Sequence, residues 1–488
     1  MAKSGSADRS TRNLRARGVD VSKAVTNDRG ARYGKRPPER QRSAPNPSAP
    51  PTSADGLLAR DVAVSALFSV LVEKRPFDDV FAKAAAARNL APRDRAFARL
   101  IATTVLRNRG SLQAVLRTYL EKPLPEHLGR LEQILLAAAA QLLLIKTPPH
   151  AAISLAVDQC RADRVGKRFG NLVNAVLRRL SESGSGRLAS LDNVMLTFPD
   201  WLMARWSRTY GAAEARQIAR ASLSEPSLDI TVKSDADAWA SRLNGVALPT
   251  GSIRCSHVGR VEELDGYNDG AWWVQDAAAA LPVKLLGDVS GLSALDLCAA
   301  PGGKTAQLAA GGARVVAVDK SAGRLARLQE NLQRLGLSAE ISVADAQSFS
   351  SETAFDVVLL DAPCTATGTI RRHPDILYLK RPEDVAALAS LQAKLLRQAA
   401  RLVKSGGTLL YCTCSLEPEE GEEQIAAFLS EHRDFRRRPI ALDETVIPLL
   451  WRTADGDLRT LPSYFSELPE GFRGLDGFYA AMLVKADC

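Results

Sequence analysis

Phe355-Asp356-Val357-Val358-Leu359-Leu360-Asp361-Ala362-Pro363-Cys364 decides how this chain is read. An apolar run after a Phe-Asp entry is the pattern of a parallel strand buried on both faces. The run breaks at Asp-Ala-Pro-Cys, because proline has no N–H to give the ladder. In an open α/β sheet, ligands bind outside the carboxyl ends of the strands. The stretch therefore delivers a carboxylate, Asp361, and a thiol, Cys364, to the rim of a crevice. Residues 408–411 read as a second strand, leading into Cys412-Thr413-Cys414-Ser415. Two thiols and an acid at adjacent strand ends point to covalent thiol chemistry. The plainer alternative is two small core residues, the usual fate of an isolated cysteine. Their position at strand ends, rather than inside strands, speaks against it.

Working outward, strands alternate with helices from Trp272 to Cys488. Residues 294–298, 314–318, 340–343, 356–360, 408–411 and 477–485 read as strands of a doubly wound α/β sheet with helices on both faces. Leu295-Asp296-Leu297-Cys298-Ala299-Ala300-Pro301-Gly302-Gly303-Lys304-Thr305 is a strand, a Gly-rich turn and a helix start. Three cofactors use such turns. A nucleoside triphosphate needs G-x-x-x-x-G-K-[ST], and here Cys298 stands where the first glycine belongs. A dinucleotide needs G-x-G-x-x-G, which this turn lacks. S-adenosylmethionine remains: Gly302 and Gly303 allow close backbone approach. Asp319, closing Val315-Val316-Ala317-Val318, is placed for the ribose hydroxyls, and Asp345, in Val343-Ala344-Asp345-Ala346, for the adenine amino group. Any one such acid serves equally as a helix cap. With Asp361, three acids at successive strand ends favour a methyltransferase over a dehydrogenase.

Upstream the periodicity is helical. Leu58, Val62, Leu67 and Val70-Leu71 line a core-facing stripe, with Arg60 and Asp61 outside. Breaks near residues 89–94, 121–125 and 147–149 divide 57–180 into about six or seven helices of an all-α bundle. Residues 181–186 read as a Ser/Gly-rich linker. The expected divisions are a basic tail over 1–55, an all-α domain over 56–185, linker helices with a small α/β insert over 186–270, and an α/β domain over 271–488.

A length of 488 residues fits about two to four domains rather than one core. The net charge of +9 is concentrated in residues 1–55, which carry 12 Lys/Arg against 5 Asp/Glu. That segment is rich in Ser, Pro and Gly, nearly without apolar side chains, and is expected to be disordered. It reads either as a solvated tail or as an arm that adds affinity for nucleic-acid phosphates. It has no amphipathic stripe of a transit peptide and no signal-peptide core. The most apolar stretch, 134–145, is far short of the roughly 20 residues a bilayer needs, so no membrane partner is expected. Seven scattered cysteines do not form a disulfide framework, and a reducing cytoplasm fits them. Cys412 and Cys414 form C-x-C without a second Cys/His pair nearby, so no metal is expected.

Three motifs together resemble the RNA 5-methylcytosine methyltransferases: Cys298-Ala299-Ala300-Pro301-Gly302-Gly303-Lys304-Thr305, Asp361-Ala362-Pro363-Cys364-Thr365-Ala366-Thr367-Gly368 and Thr413-Cys414-Ser415. Trp273-Val274-Gln275-Asp276 and Asp476-Gly477-Phe478-Tyr479-Ala480 resemble that family's flanking motifs. Gly368-Thr369-Ile370-Arg371-Arg372-His373-Pro374-Asp375 is similar to the RsmB/Sun branch, which modifies bacterial small-subunit ribosomal RNA. The helical segment, through His150-Ala151-Ala152-Ile153-Ser154-Leu155-Ala156-Val157 and Gly170-Asn171-Leu172-Val173-Asn174-Ala175-Val176-Leu177-Arg178, resembles NusB, an RNA binder. That branch carries such an N-terminal domain. The resemblance covers about residues 57–488, with two departures. Asp229-Ile230-Thr231-Val232-Lys233 stands where the family has a Leu-Arg-x-Asn strand, and the basic tail is extra.

The resemblance implies a Rossmann-like, S-adenosylmethionine-dependent domain that acts, as a monomer, on carbon 5 of a cytosine in ribosomal RNA, the 16S molecule for this branch. Another RNA as substrate, or a non-catalytic RNA binder, are the alternatives. Carbon 5 is a poor nucleophile, and a thiolate adding to carbon 6 activates it. The resemblance makes Cys414 that nucleophile, Asp361 the acid at cytosine N3, and Cys364 a helper in a later step. In DNA 5-methylcytosine enzymes the Pro-Cys thiol attacks instead; their Glu-Asn-Val partner motif is not found here. Cys298 to Lys304, Asp319, Asp345 and Asp361 would contact the cofactor. Arg371, Arg372 and His373 would meet RNA phosphates near the target base.

Overall fold

The computed structural model describes residues 53–124, 128–255, 259–441 and 443–487. Most of the expected basic tail lies outside the described residues, although the first helix already begins at Ser53. Six helices form the bundle: Ser53–Leu71, Phe77–Ala87, Pro92–Arg117, Leu131–Leu143, Pro149–Ala162 and Gly170–Ala189. The third kinks at Asn108, where φ is −127°. Val62, Leu67, Ile101, Leu106, Ile134 and Leu177 are fully buried at the bundle's centre.

Two details differ from the sequence reading. Leu58 is exposed, whereas Arg60 is buried, its guanidinium 5.0 Å from the Phe97 ring and its Nη1 donating to Gly56 O at 2.8 Å. The first helix packs through Ala59, Ala63 and Ala66 as well as its large residues, which turns the buried face away from Leu58. The last helix also continues through 181–186, where a linker was expected. Gly184 is buried there, and a Cβ on it would stand 3.0 Å from Leu143 Cδ2. Close packing on the neighbouring helix outweighs the weak helix propensity of the Ser-Gly run.

Three helices follow: Asn193–Thr197, Asp200–Tyr210 and Ala212–Ser222. Asp192 caps the first by accepting from Val194 N and Met195 N. Trp206 is fully buried in a cluster with Phe198, Leu202, Ile370, Leu377 and Leu416. This segment therefore packs on the loops that carry the catalytic motifs, rather than acting as a spacer.

A small antiparallel sheet comes next, formed by β1 (Leu228–Val232), β2 (Val246–Ala247), β3 (Ile253–Cys255) and β4 (Trp272–Val274) in the order β2-β3-β1-β4. β4 lies beyond residue 270, so the insert closes later than the expected division. Asp229 and Arg254 face each other across β1 and β3, wholly buried, with two hydrogen bonds of 2.7 Å. Asp229 Oδ2 also accepts from Ala277 N at 3.0 Å, and Arg254 Nη1 donates to Phe472 O at 2.8 Å. This pair clamps the insert onto the last domain.

That domain is built on β5 (Ser293–Leu297), β6 (Arg314–Asp319), β7 (Glu340–Val343), β8 (Phe355–Asp361), β9 (Val403–Thr413), β10 (Phe435–Arg438), β11 (Leu458–Thr460) and β12 (Phe478–Lys485). The order is β10-β12-β9-β8-β5-β6-β7, with β11 beside the start of β12. β5 to β9 pair in parallel, and β12 is antiparallel to β9. Alternate residues are buried on opposite faces: Val357, Leu359 and Leu410 with Leu281 and Leu308 on one, Val358, Leu360 and Leu409 with Leu395 and Phe428 on the other. The expected doubly wound sheet is present. Among the described residues no helix is long and apolar enough to cross a membrane.

Asp229→Ala leaves the Arg254 guanidinium buried without its partner, a loss expected to cost about 3–5 kcal/mol. Thermal unfolding checks this, and an unchanged melting temperature in the variant would contradict it.

Candidate active site

β8 and β9 leave the sheet at the same level, because Asp361 lies opposite Cys412. Ala362 N still donates to Cys412 O at 2.9 Å, and Pro363 then ends the ladder. The two turns beyond bring Cys364 Sγ and Cys414 Sγ to 3.5 Å of each other. Cys412 is directed elsewhere: it is fully buried, with its sulfur 3.6 Å from Asp361 Oδ1. Asp361 Oδ2 accepts from Lys304 Nζ at 2.8 Å. The Lys304 ammonium also lies 4.8 Å from the Phe478 ring centre. Burial by itself would lower the Lys304 ammonium, but the Asp361 carboxylate outweighs it and holds the group above its ordinary range. The hydrogen bond to Cys414, then burial, push the Cys364 thiol well up. Burial and the adjacent Asp361 do the same to Cys412.

Two glycines let the catalytic turns close. A Cβ on Gly368 would stand 2.0 Å from Gly477 O, an impossible approach for any other residue. Gly368 N donates to Cys414 O at 3.0 Å, and Gly477 N donates to Gly368 O at 2.8 Å. The Asp476-Gly477 motif near the C-terminus is thus a backbone support for the Cys364 loop.

The Gly-rich turn sits one strand away. Cys298 and Gly302 both adopt positive φ, 62° and 104°, and a Cβ on Gly302 would meet Leu328 Cγ at 2.6 Å. Burial pushes the Cys298 thiol up to about 12. Asp319, nearly buried at the end of β6, accepts from Ala300 N at 3.3 Å and Ser321 N at 2.9 Å. These residues fit S-adenosylmethionine: backbone without side chains at Gly302 and Gly303, and a carboxylate at the next strand end. Asp345 is exposed and caps its own turn, its Oδ1 accepting from Gln347 N at 2.9 Å. Among the described residues no group of three His, Cys, Asp or Glu is placed to hold a metal.

Two of the three residues expected at RNA phosphates are placed otherwise. Arg371 is 2 % exposed, beside Asp476 at 3.7 Å. Arg372 pairs with Asp476 at 2.9 Å and with Asp276. Both guanidiniums are therefore occupied in an internal ion cluster that joins three quoted motifs. His373 is half-exposed and 3.2 Å from Asp78 of the helical bundle. In the sequence the tripeptide has the look of a basic surface turn, because its acidic partners lie about a hundred and three hundred residues away in the chain.

Other site residues were missed. Asp296 in β5 is fully buried, accepts from Thr305 Oγ1 at 2.6 Å, and is pushed up to about 7 by burial. Glu420, Gln392, Thr365 and Ser415 form a buried polar cluster behind the thiols. The only sequence signal for it is the acidic Pro418-Glu419-Glu420 turn directly after the Cys414 motif, a pattern that reads as solvated.

A sheet of this order, with a Gly-rich turn after β5 and an acid ending β6, defines an S-adenosylmethionine-dependent methyltransferase domain. The comparisons agree. The family described as "16S rRNA methyltransferase RsmB/F" matches residues 284–484, and the NusB family matches residues 57–182. Ribosomal RNA small subunit methyltransferase B of Sodalis glossinidius is 37% identical over 413 residues, covering 81% of this chain and 91% of that protein. The protein of the same name from Vibrio cholerae is 34% identical over 445 residues, covering 87% of this chain and 97% of that protein. The crystal structure of PH0851 superposes with a TM-score of 0.70 at 24% identity, over 88% of this chain and 99% of that one, which shows the shared fold. The chain belongs to the RsmB/F family of 16S rRNA methyltransferases. It is an RNA methyltransferase with an N-terminal NusB domain, and its cofactor is S-adenosylmethionine.

Asp319→Ala is expected to weaken S-adenosylmethionine binding by about 1–3 kcal/mol, the scale of removing a charged hydrogen-bond partner. Calorimetric titration of the folded variant checks this. Unchanged affinity would remove Asp319 from the cofactor site.

Proposed function

We propose that this chain methylates carbon 5 of one cytosine in 16S ribosomal RNA through a covalent bond to Cys414. The observation that carries the reading is the pair of sulfurs 3.5 Å apart, with Asp361 at the end of the strand that leads into Cys364. The relatives named ribosomal RNA small subunit methyltransferase B support 16S RNA as the substrate. Free thiols and a ribosomal substrate support a cytoplasmic enzyme.

In this mechanism the Cys414 thiolate bonds to carbon 6, and the carbon 5–carbon 6 double bond opens. Asp361 takes up a proton as the base binds and donates it to N3, which neutralises the negative charge the attack sends into the ring, and Lys304 stabilises the carboxylate left behind. The cofactor supplies the methyl group that carbon 5 takes. Carbon 5 then gives up its proton to a solvent base, and the electrons of that bond re-form the double bond and expel the Cys414 thiolate. Cys364, held as a neutral thiol by Cys414 and by burial, assists the release. The target base has to leave its stack for carbon 6 to reach Cys414. Cofactor contacts from Cys298 to Lys304, Asp319, Asp345 and Asp361 belong to the same proposal. His373, half-exposed and 3.2 Å from Asp78, is the member of the basic tripeptide left to meet RNA.

The two thiols separate by the order of their steps. Cys414→Ala is expected to give neither methylated RNA nor a protein–RNA adduct, while still binding the cofactor. Cys364→Ala is expected to accumulate an adduct that survives denaturing electrophoresis. The swapped pattern would make Cys364 the nucleophile, and adduct in neither variant would mean that both thiols act in the attack.

A further inference from the structure

We propose that Glu420 is the positioning residue of this site: its buried carboxylate ties the turn carrying Cys364 to the turn carrying Cys414, and so sets the distance between the two sulfurs. Glu420 is wholly inaccessible, at the end of the short turn Pro418–Glu420. Its Oε1 accepts from Thr365 N at 3.0 Å and from Gln392 Nε2 at 2.9 Å. Its Oε2 accepts from Ser415 Oγ at 2.5 Å and from the Thr365 hydroxyl. Thr365 directly follows Cys364, and Ser415 directly follows Cys414.

The residues preceding each cysteine are held by the backbone carbonyl of Glu420 and by Gln392. Glu420 O accepts from Tyr411 OH at 2.8 Å and from Thr413 Oγ1 at 3.3 Å. Gln392, on the helix Pro382–Arg401, gives its second N–H to Pro363 O at 3.0 Å. Each cysteine is therefore flanked on both sides by a residue bonded to Glu420 or Gln392. A carboxylate without water is costly unless its lone pairs are filled. Here four neutral donors fill them, three from the two loops and one from the helix that carries Gln392. Such a fully satisfied buried network fixes one arrangement of the chain. A glutamine would place an N–H₂ against one pair of these donors and push that turn away.

The consequence for turnover rests on the methylation reading; the consequence for thiol geometry does not. Two measurements on the full chain keep them apart. Phenylarsine oxide bridges two thiols only where their sulfurs face each other closely, and it needs neither RNA nor cofactor. The parent protein should be bridged, and Cys364→Ser and Cys414→Ser should each abolish bridging. Glu420→Gln should bridge at least about tenfold more slowly, and its kcat should fall about 100-fold, the scale of a reacting group displaced by about 1 Å, with KM for the cofactor unchanged. Parent-like bridging and parent-like kcat in Glu420→Gln would overturn the proposal. If Glu420→Gln does not fold, Ser415→Ala and Thr365→Val each remove one donor and spare the carboxylate. Slower bridging in both supports the proposal, and parent-like bridging in both overturns it. Bridging that depends on Glu420 in a protein that methylates no cytosine would uphold the positioning role and overturn the methylation reading instead.

Discussion

The parallel pairing of β8 with β9 is the constraint on which this site depends. Asp361 lies opposite Cys412, so both strands end at one level, and proline in the first and the Thr-Cys-Ser turn in the second release their chains together. A slip of one residue would flip every side chain of β8 to the other face of the sheet. That would bury Asp361 away from Lys304 and carry Cys364 out of reach of Cys414. The register is secured by apolar residues on both faces, Val357 and Leu359 on one and Val358 and Leu360 on the other. The core of the domain and the geometry of the thiols are thus set by the same alternation.

The loop after Cys364 also joins this domain to the bundle. Asp375 accepts from Phe77 N at 2.9 Å, Arg107 donates to Arg371 O at 2.9 Å, and Tyr378 OH donates to Leu106 O at 2.6 Å. On the other side, Glu417 accepts from Trp206 Nε1 at 3.1 Å and from Arg205 at 2.5 Å. Both turns that carry the thiols are therefore braced by helices from the N-terminal half. An RNA held by the bundle would be held by a body in direct contact with the catalytic loops.

Much of this was legible in the sequence, and the reasons are local. Strands β6 and β8 announce themselves as apolar runs ended by an acid, and Cys298 excludes a triphosphate loop by occupying a single position. What escaped reading depends on partners distant in the chain. Arg371 and Arg372 look like a basic surface turn until Asp276 and Asp476 arrive from other motifs to bury them. The helix through 181–186 needs Leu143 beside Gly184. Glu420 sits in an acidic turn that resembles solvent-facing sequence, and only the meeting of Thr365, Gln392 and Ser415 reveals it as interior. The short strands β2, β3, β10 and β11 carry too few residues for alternation to register.

The central claim is that Cys414, and not its neighbour 3.5 Å away, bonds to the base. A 16S RNA transcript with 5-fluorocytidine in place of cytidine tests this most directly. Fluorine on carbon 5 cannot leave as a proton does, so the covalent species is held on the protein. Digestion and peptide mass spectrometry of that complex should place the nucleotide on Cys414. A nucleotide on Cys364, or no covalent complex with bound cofactor present, would contradict the account.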